Sequence, residues 1–398
     1  MPVVSPRVYL DHAATTALLP AAREAWLAEA AQVGNASSLH ASGRRARRVV
    51  EESRESVAAD LCVRPSAVVF TSGGTEADNL AIKGLFWSRP DGADRVLASS
   101  IEHHAVLDPV AWLEQAQGAD VRWLPVDGLG RVSMPALEDQ LTAQGTVALV
   151  TVMWANNEVG TVQPVADIAA LCRAAGVPFH TDAVQALGHV PMDLGVVGAD
   201  AVTLSSHKIG GPPGVGALIL DPRLAPTPVL HGGGQEREVR SGTLDVPGIA
   251  GFAAAVTHAV RGQEQRARRL VDLRERLVSG IRATVPEAVL NGDPGTGPDE
   301  RLPGNVHVSF PGCEGDLLLM LLDAAGIDCS TGSACTAGIP EPSHVLLAMG
   351  ANEGQARSSL RFSLGESTTE ADVDAVVAAL PGVVSRARRA GSLASRTG

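Results

Sequence analysis

Aromatic residues make up only 3% of this 398-residue chain, and tyrosine occurs once, at Tyr9. Platforms that stack nucleic-acid bases need aromatic rings, so they are not expected here. Positive charge is also short: 32 lysines and arginines stand against 44 aspartates and glutamates, a net charge of −12. That balance is poor for gripping a phosphate backbone, so direct nucleic-acid binding is not expected. No apolar run approaches the roughly 18 residues of a membrane span. The opening MPVVSPRVYLDHAATT has no basic stretch followed by an apolar one, so it does not read as a secretory signal. The five cysteines, Cys62, Cys172, Cys313, Cys329 and Cys335, are odd in number and form no CxxC pair. A disulfide framework or a structural zinc site is therefore disfavoured, and the expected setting is a reducing cytoplasm.

Lysine is scarcest among the charged residues. It occurs only at Lys83 and Lys208, and every other basic residue is arginine. An arginine-favouring genome accounts for the bias. Arginine cannot supply a neutral amine, so these two positions hold the candidates for amine chemistry. Lys83 lies mid-helix in NLAIKGL and reads as a solvated or snorkelling side chain. Lys208 in SSHKIGGPPGVG directly follows a predicted strand and leads into a glycine turn. A lysine at a strand's carboxyl end is well placed to join an aldehyde cofactor.

What is abundant is alternation. AVVFTSGG, RVLASS, VALVTVMWA, VPFHTD, ADAVTLSS and VGALIL read as short buried strands, several followed by helical patterns. Such a series predicts an α/β fold with a mostly parallel central sheet covered by helices on both faces. Ligands in these sheets sit at the carboxyl ends of the strands. A long Arg/Glu-rich helical pattern from about Gly248 to Val285 follows, then a Pro/Gly-rich loop and a second β/α series. The expected division is a large domain over 15–260, with 1–14 and 261–398 forming a smaller α/β domain.

The strand ends carry the remaining candidates. If the aldehyde is pyridoxal phosphate, its pyridine nitrogen needs a carboxylate, and FHTDAVQ supplies Asp182, with Gln185 in reach of a ring oxygen. TSGGTE puts Gly74 and Thr75 at a helix start whose open amides suit a phosphate, although a simply capped helix has the same pattern. SIEHHAV places His103 and His104 at another strand end, for ring stacking or proton transfer. Asn156 and Asn157 lie in a similar loop. Arg361, inside the apolar SLRFSLG, needs an anion, either a substrate carboxylate or a core salt bridge. The glycine-rich CSTGSACTAG, from Cys329 to Gly338, reads as a mobile loop over about 328–342. For its Cys335, metal ligand, disulfide half, inert thiol and nucleophile are all open on composition alone.

Together the blocks YLDHAATT, GNASSLH, FTSGGTEADNLAIKG, EHHAVLD, NNEVGTVQP, HTDAVQ, SSHKIGGPPGVGAL, GGGQEREVRSGT, STGSACTAG, EPSHVL and SLRFSLG resemble the NifS/IscS-type cysteine desulfurases. These are pyridoxal-phosphate enzymes of fold type I, and the resemblance spans nearly the whole chain. It implies that Lys208 joins the cofactor aldehyde and moves the substrate Cα proton. It implies His103 against the ring, Asp182 on the pyridine nitrogen and Gln185 on the ring oxygen. Thr75, Ser205 and His207 would hold the phosphate, and Thr243 would reach it from the partner subunit of a homodimer. Asn157 and Arg361 would bind the carboxylate end of L-cysteine. Cys335 would be the nucleophile that takes the sulfur as a persulfide for a protein acceptor, either an iron–sulfur scaffold or a tRNA-thiolating enzyme. Cys329 would be a packed, inert thiol. Two features depart from the family pattern: Thr331 replaces the usual serine, and the chain stops soon after RARRA, so scaffold docking through a longer tail is not expected. Selenocysteine lyase, an aminotransferase-like activity and a sulfur carrier without turnover are the competing readings.

Overall fold

The apolar runs become strands because each can bury both of its faces. In the computed structural model, which describes residues 7–143, 146–332 and 342–394, seven strands form one sheet. Their spatial order is Val68–Thr71, Gly216–Leu220, Ala201–Ser205, Phe179–Asp182, Val147–Thr151, Arg95–Ser99 and Asp120–Leu124. The last five run parallel to one another. Gly216–Leu220 is antiparallel to both of its neighbours and is the only reversed strand of the seven. The sheet is thus the mostly parallel one that the alternation predicts.

Side chains divide between the two faces with a period of two, as a pleated strand requires. Val68 and Phe70 enter one apolar cluster and Val69 the other. Ala217 and Ile219 are separated from Leu218 and Leu220 in the same way. Helices Pro20–Ala30, Ala41–Asp60 and Val246–Val260 cover the first face through residues such as Ala22, Val50 and Phe252. Helices Gly74–Trp87 and His104–Gln117 cover the second through Leu80, Val106 and Val110.

A third apolar cluster joins Leu10 to residues between Leu270 and Ala387. It is built around an antiparallel sheet of Ser359–Ser363, Asn305–Ser309 and Val289–Leu290. Val8–Tyr9 pairs in parallel with Ile327–Asp328 beside it. The single helix expected from Gly248 to Val285 is instead two, Val246–Val260 and Gln263–Thr284. The break falls at Gly262, whose φ of 72° lies in the left-handed region that ends helices. Among the described residues no helix is long and apolar enough to cross a membrane.

One buried ion pair fixes the edge of the large sheet. Arg54 donates from both terminal nitrogens to Glu236, at 2.7 and 2.8 Å. Glu236 also accepts the Phe70 amide at 2.9 Å, and Arg54 donates to the Val68 carbonyl at 2.7 Å. The pair therefore sets the strand that leads into Gly73 and Gly74. Removing one partner strands the other's charge in the core. Glu236→Ala is expected to lower the unfolding free energy by about 3–5 kcal/mol, read by urea denaturation. A loss of about 1 kcal/mol or less, the range of exposed pairs, would contradict this account of the edge.

Candidate active site

The turns after the parallel strands converge on an open cavity of about 520 Å³. Lys208 enters it from the short turn Ser206–Ile209, which directly follows the strand Ala201–Ser205. Its Nζ donates to the carbonyls of Ala13 at 2.7 Å and Ala14 at 2.8 Å. Gln185 Nε2 donates to the same Ala13 carbonyl at 3.0 Å, and His207 Nδ1 lies 3.2 Å from the Thr15 hydroxyl. The segment DHAATT therefore anchors three side chains that line the cavity. Sequence reasoning gave Ala13 and Ala14 no task, because they contribute carbonyls and not side chains. Burial and the Arg361 charge lower the Lys208 amine to about 8, against the pull of Asp182 and Asp11. The neutral amine is thus much easier to reach than in an exposed lysine.

Asp182 closes the strand Phe179–Asp182, and its Oδ1 accepts the Val184 amide at 2.8 Å. Burial and the neighbouring Asp78 push its carboxyl up to about 7. Asp78 was not singled out from sequence, where it reads as an ordinary helix acid in TEADN. In the structure it is 1% exposed and lines the cavity, and the Thr203 side chain only partly offsets the cost of burying it. His180 Nε2 is 3.5 Å away. Burial lowers that imidazole to about 4, and it is held between Thr151 at 2.8 Å and Thr203 at 3.0 Å. A cation placed at Asp182 would relieve this crowded set of acids.

Another part of the cavity lining suits an anion. Helix Gly74–Trp87 begins with no side-chain cap, so its first amides and positive dipole end stay open. Gly73 adopts φ 146°, which a side chain would strain, and a Cβ on Gly74 would stand 3.0 Å from Val184 Cγ2. Thr75, Ser205 and His207 surround this end. His103 caps helix His104–Gln117, and its Nδ1 accepts the Ala105 amide at 3.1 Å. The neutral ring therefore carries its proton on Nε2. Burial and the Lys208 charge lower His103 to about 4, so it is neutral at physiological pH.

Two asparagines that look alike in sequence do different work. Asn156 is buried and serves the backbone, accepting from the amides of Glu158 and Val159. Asn157 lines the cavity, and its carbonyl accepts from Arg361 at 2.9 Å. Arg361 also pairs with Asp11 at 2.7 Å, while its Nε has no partner among the described residues. Arg361 stands beside the cavity wall and not in it. Thr243 is exposed and also lies outside the cavity. Cys335 lies outside the described residues. Cys329 is buried in the third apolar cluster, and burial pushes its thiol up to about 12.

Residues 8–376 match the family model of the class V aminotransferases. The chain belongs to that family. It is 55% identical over 387 residues to the IscS-like cysteine desulfurase of Mycobacterium tuberculosis (strain ATCC 25618 / H37Rv), covering 96% of this chain and 97% of that one. It is 43% identical to cysteine desulfurase IscS of Methanosarcina thermophila, over 96% of this chain and 93% of that one. A solved NifS-like protein superposes with a TM-score of 0.87 at 35% identity, over 95% of this chain and 99% of that one. A structure described as SspA in complex with cysteine superposes with a TM-score of 0.76 at 34% identity, over 89% of this chain and 98% of that one. The protein is thus an enzyme of the NifS/IscS-type desulfurase group, whose fold implies dependence on pyridoxal phosphate. The residues fit that group: an open helix end for the phosphate, crowded acids for a pyridinium, and a weakened amine in the same cavity.

Burying Asp78 has a cost in the cofactor-free protein. Asp78 has its carboxyl raised from 3.8 to about 7, so the folded state binds more protons than the unfolded one between those values. Stability therefore falls as pH rises through that window. Asp78→Asn, which keeps the shape, is expected to flatten this fall, because it also frees Asp182 from a neighbouring charge. Calorimetric melting of the cofactor-free protein near both ends of the window checks it. Equal slopes in the two proteins would contradict the assignment.

Proposed function

We propose that the protein removes sulfur from L-cysteine with the aid of pyridoxal 5'-phosphate, giving L-alanine and a persulfide on Cys335. One observation carries this reading: Lys208, Asp182 and the open helix end at Gly74 face one cavity in a chain whose relatives are named cysteine desulfurases. When bound, pyridoxal phosphate supplies an electron sink for the charge left at the substrate Cα. All other tasks fall to the chain.

Lys208 Nζ holds the cofactor aldehyde at rest. Lys208 would also take the proton from the substrate Cα, a role that its lowered proton affinity favours. Asp182 keeps the ring nitrogen protonated, and Gln185 bonds the ring oxygen. The Gly74 amide, Thr75, Ser205 and His207 would hold the phosphate, and the neutral His103 would assist proton transfer beside the cofactor ring. Asn157 and Arg361 receive the substrate carboxylate, with Arg361 kept in place by Asp11. The Cys335 thiolate attacks the substrate sulfur, so an S–S bond forms as the Cβ–S bond breaks. The bond's electron pair stays with carbon, which is later protonated to give alanine.

The active form is a homodimer in which the exposed Thr243 of each copy reaches the phosphate held by the other. The exposed apolar residues Trp26 and Leu27 on helix Pro20–Ala30 are further support for a second copy. Residues 15–260 act as the cofactor-binding unit, and 1–14 with 261–398 as the smaller unit that carries Cys335; the apolar cluster of Leu10 with residues 270–387 supports this division, while Leu302 and the cluster of Ile101, Met153, Val159, Val345 and Leu346 join the two units. The protein works in the cytoplasm and passes its sulfur to a protein acceptor, for iron–sulfur cluster assembly or for tRNA or cofactor thiolation.

The decisive assay measures sulfide and alanine from L-cysteine against selenide from L-selenocysteine. With a thiol reductant present to release the persulfide sulfur, equimolar alanine and sulfide are expected from L-cysteine, and turnover of selenocysteine alone would make the protein a selenocysteine lyase. Lys208→Ala is expected to lose the yellow cofactor band. Cys335→Ala should keep the band and stop sulfide release, and continued release in that variant would remove Cys335 from the reaction.

A further inference from the structure

Glu158 is a buried carboxylate, 2% exposed, that none of the roles above uses. It sits on the turn after Asn157, and the chain on either side of residues 333–341 comes to it. Ser343, just beyond that segment, donates its hydroxyl to Glu158 Oε2 at 2.5 Å. Gly332, just before it, lies so close that a Cβ there would stand 3.6 Å from the same oxygen and 2.9 Å from His307 Nε2.

Both approaches are fixed by further bonds. On the Gly332 side, the Gly332 amide is held by Ser330 Oγ at 3.0 Å, and Ser330 exchanges main-chain bonds with Arg361. On the other side, Ser343 Oγ also caps helix His344–Ala348 by accepting the Leu346 amide at 3.1 Å, and His344 Nε2 reaches the Glu102 carbonyl at 3.0 Å. Glu158 itself is rigid. Its amide donates to Asn156 Oδ1 at 2.9 Å, and its carbonyl accepts from Asn305 Nδ2 at 3.0 Å. Its neighbour Asn157 lines the cavity.

We propose that Glu158 is a positioning residue for sulfur transfer, registering both roots of the Cys335-bearing segment on the turn that lines the substrate cavity. The proposal rests on Cys335 as the sulfur acceptor. The hydroxyl of Ser343 ties the return of the segment to one carboxylate oxygen, and the Gly332 backbone at its start packs close to the same oxygen without bonding to it. The turn that carries this oxygen also carries Asn157, so the substrate side and the thiol side of the reaction share one rigid element. An error of about 1 Å in such registry costs on the order of a hundredfold in rate.

The test uses holoenzyme and separates two steps. L-cysteine binding is read from the change in cofactor absorption, and sulfur transfer from the single-turnover rate of persulfide formation on Cys335. Glu158→Ala is expected to keep the cofactor band and the half-saturating L-cysteine concentration while sulfur transfer slows by about tenfold or more. Glu158→Gln keeps an acceptor for Ser343 and is expected to recover most of that rate. Ser343→Ala removes one root without touching the turn, and is expected to slow transfer in the same selective way even where Glu158→Ala fails to fold. Wild-type transfer in Glu158→Ala or in Ser343→Ala, with Cys335→Ala inactive, would overturn this proposal alone. Parallel loss of cofactor, binding and transfer would also overturn it, because the role would then be structural. Sulfide release by Cys335→Ala would overturn the nucleophile reading and this proposal together.

Discussion

The Lys208 amine is held by two main-chain carbonyls and not by a carboxylate. A carboxylate partner would stabilise the ammonium and keep it charged. Carbonyls orient the amine with a much weaker hold on its charge, and burial with the Arg361 charge then brings it down to about 8. The rest of the site is arranged around this condition. The carbonyls belong to Ala13 and Ala14, whose segment is itself pinned by the Ala13 amide on Ser363 Oγ at 2.9 Å and by Asp11 on Arg361. The small antiparallel sheet thereby helps to place the amine at the end of the large one.

Charge is the second constraint. Asp78, Glu102 and Asp182 are buried near one another, and burial raises all three. His180 stays neutral in their midst because burial outweighs the pull of Asp182, and its two nitrogens are engaged by threonines. Without a cation in the cavity, this part of the core holds protons that it would lose to water. A protonated pyridine at Asp182 would supply such a cation, and would then tie cofactor binding to the stability of the sheet ends.

Much of this was legible in the sequence, because each signal is local. A strand that ends in glycines, a histidine doublet, a Thr-Asp and a His-Lys after apolar runs all lie at strand ends by construction of a parallel sheet, and the structure brings Gly74, Thr75, His103, Asn157, Asp182, Gln185, Ser205, His207 and Lys208 to one cavity. What was not legible acts through the backbone or through distance. Ala13 and Ala14 have no distinguishing side chain. Asp78 and Glu158 read as ordinary acids until burial is known. The helix break at Gly262 depends on one left-handed residue inside an otherwise continuous pattern. Arg361 was read as needing an anion, either a substrate carboxylate or a core partner. Its fork does meet a core carboxylate, Asp11, through an ion pair with a segment 350 residues away.

The scarcity of lysine makes the central claim directly measurable. Lys83 lies outside the cavity, with its ammonium over the Trp112 ring at 4.6 Å, so only Lys208 faces the crowded acids and the open helix end. Reduction of the holoenzyme with borohydride, followed by digestion and mass spectrometry, fixes the cofactor to the lysine that carries it. The account predicts the pyridoxyl label on the peptide that contains Lys208. A label on the Lys83 peptide, or a holoenzyme that takes no label, would contradict it.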